Sequence, residues 1–138
     1  MVNQIFPGEY KSLSEISDFV INRANILGFS ANDMYSIQIA VDEACSNIID
    51  HAYGKEDLGY IELQVEEIEN GLSIIIQDDG DPFDPEDIPD PVLDSPLEER
   101  RERGLGLFIM RKLMDEVTYD FSNPNQNKLI MVKRKSGV

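Results

Sequence analysis

The segment from residue 60 to residue 77 constrains the fold more than any other part of the chain. Residues 60–69, YIELQVEEIE, alternate between apolar and polar side chains, and residues 72–77, LSIIIQ, form a nearly continuous apolar run. Alternation with a period of two predicts a half-buried strand, and a short apolar run predicts a strand buried on both faces. Asn70-Gly71 separates the two runs, and this dipeptide is a strong hairpin signal. The segment therefore predicts a β-hairpin, which requires an antiparallel sheet.

The other predicted elements precede and follow this hairpin in the sequence. Helices are indicated where apolar residues recur every three or four positions. The predicted segments are a strand at 2–6, a helix capped by Ser12 or Ser14 and stopped by Gly28, a helix from about Asn32 to His51 capped by Ser30 or Asn32, a helix at 104–117, and strands at 117–121 and 128–135. Because the strands come in hairpins, we expect an α+β fold, a two-layer α/β sandwich with a mostly antiparallel sheet and helices on one face.

Length and charge exclude several classes of protein. The 138 residues, 41% of them hydrophobic, suit a single folded domain over residues 1–138. A net charge of −15 argues against binding to nucleic acid, which depends on Lys and Arg at the phosphates. There is no run of 18 apolar residues and the first ten residues do not resemble a secretory signal, so we expect no membrane association. Cys45 is the only cysteine, which fits the reducing cytoplasm.

The second predicted helix has two separate faces. Its apolar residues fall on one stripe, which should pack on the sheet: Ile37, Val41, Ala44, Ile48 and Ala52. Glu43, Asn47 and Asp50 fall on another stripe, three or four residues apart. Asn is a poor helix former in a helix interior, so the presence of Asn47 within this helix needs an explanation. Taken alone, the helix favours the simpler interpretation that these three side chains face water.

Two glycine-containing segments suggest a binding site instead. Asp78 ends the apolar strand, where its carboxylate could accept a hydrogen bond from an exocyclic amine, and Gly80 would allow a flat ring to approach the backbone. Gly104 and Gly106 flank Leu105 at the start of a helix, where exposed backbone N–H groups and the helix dipole form an anion site. The alternatives are an ordinary turn at residues 78–80 and an ordinary loop-to-helix junction at residues 104–106.

A long proline-rich segment connects these two glycine motifs. Pro82, Pro85, Pro89, Pro91 and Pro96 exclude a regular helix or strand there. A loop of this length inside a small domain is usually functional, often a lid, or else disordered. We expect a lid at about residues 81–103.

The three motifs together resemble those of a known ATPase superfamily. Glu-x-x-x-Asn on a helix, Asp-x-Gly after a strand and Gly-x-Gly at a helix start are similar, in order and spacing, to the N, G1 and G2 boxes of the GHKL, or Bergerat-fold, ATPases. Within that superfamily, VDEACSNIIDHAYG, DDGDPFDP and GLGLFIMRKLMDEV most resemble the stand-alone anti-sigma-factor serine kinases. The resemblance extends from Phe6 to Lys135.

The resemblance assigns a role to each motif. It implies that Asn47 binds Mg²⁺ at the nucleotide phosphates, that Glu43 is the general base for a serine hydroxyl, and that Asp78 holds the adenine amino group. Gly104, Leu105 and Gly106 would form the turn at the phosphates. The same motifs also place further residues among those that bind ATP: Asp50, Gly80 and Leu107.

The chain departs from the family pattern at two positions. Pro82 replaces the second glycine of the first glycine box, which would stiffen the start of the lid. In the closing strand, Ile130 is predicted to take the place of a threonine that contacts the base indirectly in related sequences.

By this resemblance the chain is a serine/threonine protein kinase that uses ATP and Mg²⁺ and acts as a partner-switching regulator. It would phosphorylate a serine on an anti-anti-sigma antagonist of the STAS type, bind a sigma factor or similar target, and form a homodimer. One alternative is a nucleotide-gated binding protein without kinase activity. Another is an acidic interaction domain whose motifs are coincidental, and the ordered match of three motifs argues against it.

Overall fold

The computed structural model describes residues 1–49, 59–80, 103–123 and 125–136. These residues form five strands and three helices. In chain order the elements are β1 (Val2–Pro7), α1 (Ser12–Ile26), α2 (Ala31–Asn47), β2 (Tyr60–Ile68), β3 (Gly71–Asp78), α3 (Arg103–Leu113), β4 (Glu116–Asp120) and β5 (Asn127–Arg134).

The five strands form one antiparallel sheet in the order β1-β2-β3-β5-β4. The most apolar strand, β3, lies in the middle, which explains why its sequence does not alternate as β2 does. Side chains of one sheet face are buried under the helices, including Ile61 and Leu63 of β2 and Ile74 and Ile76 of β3. The predicted α+β sandwich with helices on one face is confirmed.

The β2–β3 hairpin is present, but its turn differs from the prediction. Ile68 pairs with Gly71, so the two turn residues are Glu69 and Asn70 rather than Asn70 and Gly71. Asn70 takes the left-handed conformation, with φ 58°, which Asn tolerates better than most residues. Gly71 belongs to β3, where a Cβ atom would collide with the backbone carbonyl oxygen of Lys133. Close packing of β5, rather than turn geometry, therefore requires this glycine.

The connection between α1 and α2 follows the predicted signals in part. Gly28 ends α1 with φ 87°, and the Phe29 N–H donates to the Ala24 carbonyl across it, as in a Schellman motif. Ser30 caps α2 by accepting a hydrogen bond from the Asp33 N–H at 3.1 Å. The predicted cap of α1 is wrong, because the helix begins after Lys11 without a side-chain cap and Ser12 is buried.

The third helix is shorter than predicted. It ends at Leu113 instead of residue 117, because Asp115 already joins the sheet. The Asp115 N–H donates to the Val132 carbonyl at 2.8 Å, and its carboxylate accepts from the Arg134 N–H at 2.6 Å. These bonds start β4 one residue before the predicted position.

Among the residues that the structure describes, no helix is both long and apolar enough to cross a membrane.

Candidate functional site

The two faces of α2 separate as predicted. Ile37, Val41, Ala44 and Ile48 are buried against the sheet, which confirms the apolar stripe over the described part of the helix. Glu43 is half-buried and Asn47 is only 9% exposed. The interpretation that these two polar side chains simply face water is therefore wrong.

Gly106 brings the start of α3 against this polar stripe. A Cβ atom on Gly106 would lie 3.0 Å from Glu43 Oε2 and 3.1 Å from Asn47 Nδ2. A larger residue would have to displace one of these two polar groups, so the glycine provides the space in which they lie. The structure thus assembles Glu43, Asn47 and Gly106 at one place.

The other residues predicted for this end of the site lie in α3 or outside the described residues. Gly104 and Leu105 lie in the first turn of α3. Leu107 is 3% exposed and its side chain belongs to the hydrophobic core, so only its backbone could contact a ligand. Asp50, Pro82 and the predicted lid up to residue 102 lie outside the described residues, and Arg103 is the first residue of α3.

The environment of Glu43 suits a proton acceptor. Burial, and secondarily the neighbouring charge of Asp42, raise the pKa of the Glu43 carboxyl above its ordinary value. A carboxylate with a raised pKa binds a proton more strongly, which brings it closer to the range in which a general base operates near neutral pH.

Asp78 lies at the end of the central strand and is 3% exposed. Its Oδ1 accepts hydrogen bonds from the Gly80 N–H at 2.9 Å and from Asn127 Nδ2 at 2.9 Å. Burial raises the pKa of the Asp78 carboxyl in spite of these two bonds, which act in the opposite direction. None of the described residues donates to its second oxygen, Oδ2, which leaves one acceptor for a ligand.

A cavity connects Asp78 with Asn47. It encloses about 330 Å³ of space, part of which is open solvent, and both residues line it. Its lining residues come from α2 and the three strands β3, β4 and β5, or follow them directly: Ala44, Asn47, Ile48, Ile76, Asp78, Tyr119, Phe121, Asn127, Lys128 and Leu129. Apolar walls with one carboxylate at the end suit a flat heterocycle that carries an amine.

The prediction for Ile130 is wrong. Ile130 pairs with Ile75 in the sheet, whereas Leu129 pairs with Ile76, and neighbouring side chains alternate between the two faces. Ile76 and Leu129 line the cavity, so Ile130 points to the opposite face of the sheet. Of the β5 residues that share a face with Asp78, Asn127 and Leu129 line the cavity.

Three residues that line the cavity are not predicted by the sequence motifs. Asn127 pairs directly with Asp78 across the β3–β5 ladder, although 49 positions separate them. Tyr119 and Phe121 stack with ring centroids 5.9 Å apart and an interplanar angle of 12°. The strand pattern around residues 117–121 and the polar turn before β5 indicate the secondary structure of these three residues. Neither pattern predicts the register in which the strands pair.

The donor set fits a nucleotide with Mg²⁺ better than a tightly held metal. The described residues contain no group of three or more His, Cys, Asp or Glu that could hold a metal ion. Mg²⁺ is commonly held by one or two protein oxygens together with phosphates and water. The amide oxygen of Asn47, next to the start of α3, is the candidate protein ligand.

Solved structures of known proteins share this fold. The RsbU and RsbW domains of Rv1364c from Mycobacterium tuberculosis match with a TM-score of 0.63 at 11% identity, covering 97% of this chain and 32% of that chain. The catalytic domain of the histidine kinase ThkA matches with a TM-score of 0.55 at 17% identity, covering 98% of both chains.

Sequence relatives are considerably more similar. The chain is 40% identical over 98 residues to the serine-protein kinases RsbW of Bacillus cereus (strain AH820) and of Bacillus anthracis. The match covers 68% of this chain and 61% of the length of those relatives. Residues 6–133 match the family model of the histidine kinase-like ATPase domain, and they include both Glu43 with Asn47 and Asp78 with Asn127. The chain therefore belongs to the histidine kinase-like ATPase domain family.

Proposed function

We propose that this protein is an ATP-dependent serine/threonine protein kinase that acts as a partner-switching regulator of the anti-sigma type. The observation that carries the proposal is the close approach of Glu43 and Asn47 to Gly106, together with a cavity that both Asn47 and Asp78 line. The cavity beside Asp78 thereby shares Asn47 with a helix start that has a carboxylate beside it. The likeness to serine-protein kinases RsbW supports the same activity.

The nucleotide would lie along this cavity. Asp78 accepts a hydrogen bond from the adenine amino group, with Gly80 allowing close approach, while the apolar side chains of Ile76 and Leu129 contact the ring. At the other end, backbone N–H groups of Gly104, Leu105 and Gly106 bind the phosphates, because the first N–H groups of a helix have no partner within it. Asp50 and Leu107 complete the proposed nucleotide-binding set.

Transfer would depend on positioning and on neutralisation of charge. Bound Mg-ATP supplies the γ-phosphoryl group and the cation that offsets its charge. Asn47 supplies an amide oxygen to the metal. Glu43 orients the serine hydroxyl of the protein substrate and accepts its proton as the serine oxygen bonds to phosphorus, so that ADP leaves with the former bridging oxygen.

The proposed protein substrate is a small anti-anti-sigma antagonist of the STAS type, and the proposed second partner is a sigma factor or a similar target. The active form is proposed to be a homodimer in the cytoplasm. The net charge of −15 favours partners with basic surfaces, because complementary charge accelerates encounter.

A phosphotransfer assay tests the activity directly. The protein is incubated with Mg-ATP and a STAS-type antagonist recovered by co-purification, and the antagonist is analysed by mass spectrometry for a single phosphoserine. Glu43→Gln is the matched control, since it should bind nucleotide without transferring phosphate. Calorimetric binding of Mg-ATP without transfer by the unaltered protein would favour the nucleotide-gated regulator, and absence of binding would contradict both.

A further inference from the structure

The side chain of Asn127 forms a compact hydrogen-bonded group with Asp78 and Gly80. Asn127 Nδ2 donates to Asp78 Oδ1 at 2.9 Å and to the Gly80 carbonyl at 3.0 Å. The Gly80 N–H donates to the same Asp78 Oδ1 at 2.9 Å. Both hydrogens of the Asn127 amide are therefore used, and Gly80 is held at its N–H and at its carbonyl.

The two carboxylate oxygens of Asp78 differ in their hydrogen-bond partners. Oδ1 receives two donors, whereas Oδ2 receives none from the described residues. A carboxylate that is free to rotate could exchange its oxygens, but one whose Oδ1 is held from two directions presents Oδ2 consistently. Asp78 and Asn127 both line the cavity, so the hydrogen bond between them lies beside the space that a ligand would occupy.

We propose that Asn127 is a positioning residue that fixes Oδ2 of Asp78 as the acceptor for the exocyclic amine of the base. Selectivity for a 6-aminopurine then depends on Asn127 as well as on Asp78. The inference rests on the proposed function, since it assumes that the base contacts Asp78.

The test compares two nucleotides in each protein. ATP and purine ribonucleoside triphosphate differ only in the 6-amino group, which is a hydrogen in the latter. The measured quantity is the ratio of their dissociation constants, determined calorimetrically with Mg²⁺. Because both ligands are measured on the same preparation, a loss of folded protein affects both equally and leaves the ratio unchanged.

In the unaltered protein, ATP should bind about tenfold or more tightly than the analogue, as expected for a hydrogen bond to a charged acceptor. Asn127→Ala should reduce this ratio by about three- to tenfold, mainly through weaker ATP binding. Asn127→Asp keeps the size of the side chain but loses the donating amide, and it should reduce the ratio at least as much. Asp78→Ala should bring the ratio close to one.

Asn125→Ala is the matched control, because Asn125 is an exposed asparagine in the turn that precedes β5. Its ratio should equal that of the unaltered protein. If the unaltered protein does not distinguish the two nucleotides, the proposed adenine contact is wrong. A second outcome would overturn only the role of Asn127. In that outcome the unaltered protein and both Asn127 variants distinguish the two nucleotides, whereas Asp78→Ala does not. If both Asn127 variants bound ATP and the analogue more weakly by the same factor, the role of Asn127 would be structural alone.

Discussion

The two ends of the candidate site differ in the hydrogen bonds that their side chains form. At the sheet end, Asp78, Gly80 and Asn127 are joined by three hydrogen bonds of 2.9 to 3.0 Å. At the helix end, Glu43 and Asn47 lie against Gly106, and neither side chain forms a hydrogen bond with another described residue.

In the proposed function, this difference separates an end that would recognise the base from an end that would carry out transfer. Holding a carboxylate in place before a ligand arrives reduces the ordering that binding would otherwise require. Polar groups that are half-buried without a partner cost stability, and such groups are frequent where a ligand or a reaction uses them. We therefore expect changes at the helix end to affect transfer, and changes at the sheet end to affect nucleotide affinity and stability.

The largest expected effect is that of Glu43→Gln. The variant keeps the size of the side chain but removes the proton acceptor, so phosphotransfer should fall by about 10²-fold or more, in the usual range for a general base. Its affinity for Mg-ATP should remain near normal. Rates from single-turnover assays and affinities from calorimetry test the two statements separately.

Glu66→Gln serves as the control, since Glu66 is exposed on β2. Transfer by Glu43→Gln at the rate of the unaltered protein would remove the distinction between the two ends.

Asn47→Ala should have the next largest effect and a different pattern. Loss of its amide oxygen should weaken nucleotide binding about tenfold in the presence of Mg²⁺, a free-energy difference of about 1.4 kcal/mol. Binding measured with EDTA should change much less. Equal weakening with and without the metal would show that Asn47 contacts the nucleotide itself.

Gly106→Ala should separate stability from activity. The added methyl group meets Glu43 Oε2 at 3.0 Å and Asn47 Nδ2 at 3.1 Å, so both functional groups must shift, and we expect transfer to fall several-fold. Alanine favours a helix by up to about 1 kcal/mol over glycine, so the melting temperature should stay the same or rise.

Gly28→Ala is the opposite case, because φ 87° strains any other residue. It should lower the melting temperature and leave transfer unchanged. If Gly106→Ala lost stability and activity together, Gly106 would not serve to make room for Glu43 and Asn47.

The smallest expected effect is at the sheet end and depends on pH. The pKa of Asp78 is raised by burial, so the folded protein binds a proton there more readily than the unfolded chain. The charged form is therefore unfavourable to folding, and this cost disappears as the pH falls through the pKa of Asp78 in the folded protein.

Asp78→Asn carries no charge at any pH. It should be more stable than the unaltered protein near pH 7, and the difference should narrow on acidification. Denaturant unfolding of both proteins at several pH values measures it, and a difference that is independent of pH would contradict the assigned cause.

The sequence predicted the parts of the molecule whose signals are local. The cap at Ser30, the stop at Gly28 and the buried stripe from Ile37 to Ile48 depend on neighbouring residues, and the structure contains all three. The hairpin was correct, although its turn was displaced by one residue.

Errors arose where distant strands determine the outcome. The helix end at Leu113 depends on the bond from Asp115 to Val132, and the face of Ile130 depends on its register with β3. Asn127 was missed for the same reason, since no pattern in the chain states that it pairs with Asp78. A one-residue difference in register would move each such side chain to the other face.

The pairing of β3 with β5 also has a consequence for synthesis of the chain. Every residue of the three sequence motifs has been added by residue 107, yet the donor that orients Asp78 arrives only at Asn127. Contacts between segments so far apart close slowly, because the entropy of the intervening loop must first be lost. A nascent chain that already carries all three motifs would thus lack the orienting amide until β5 has emerged.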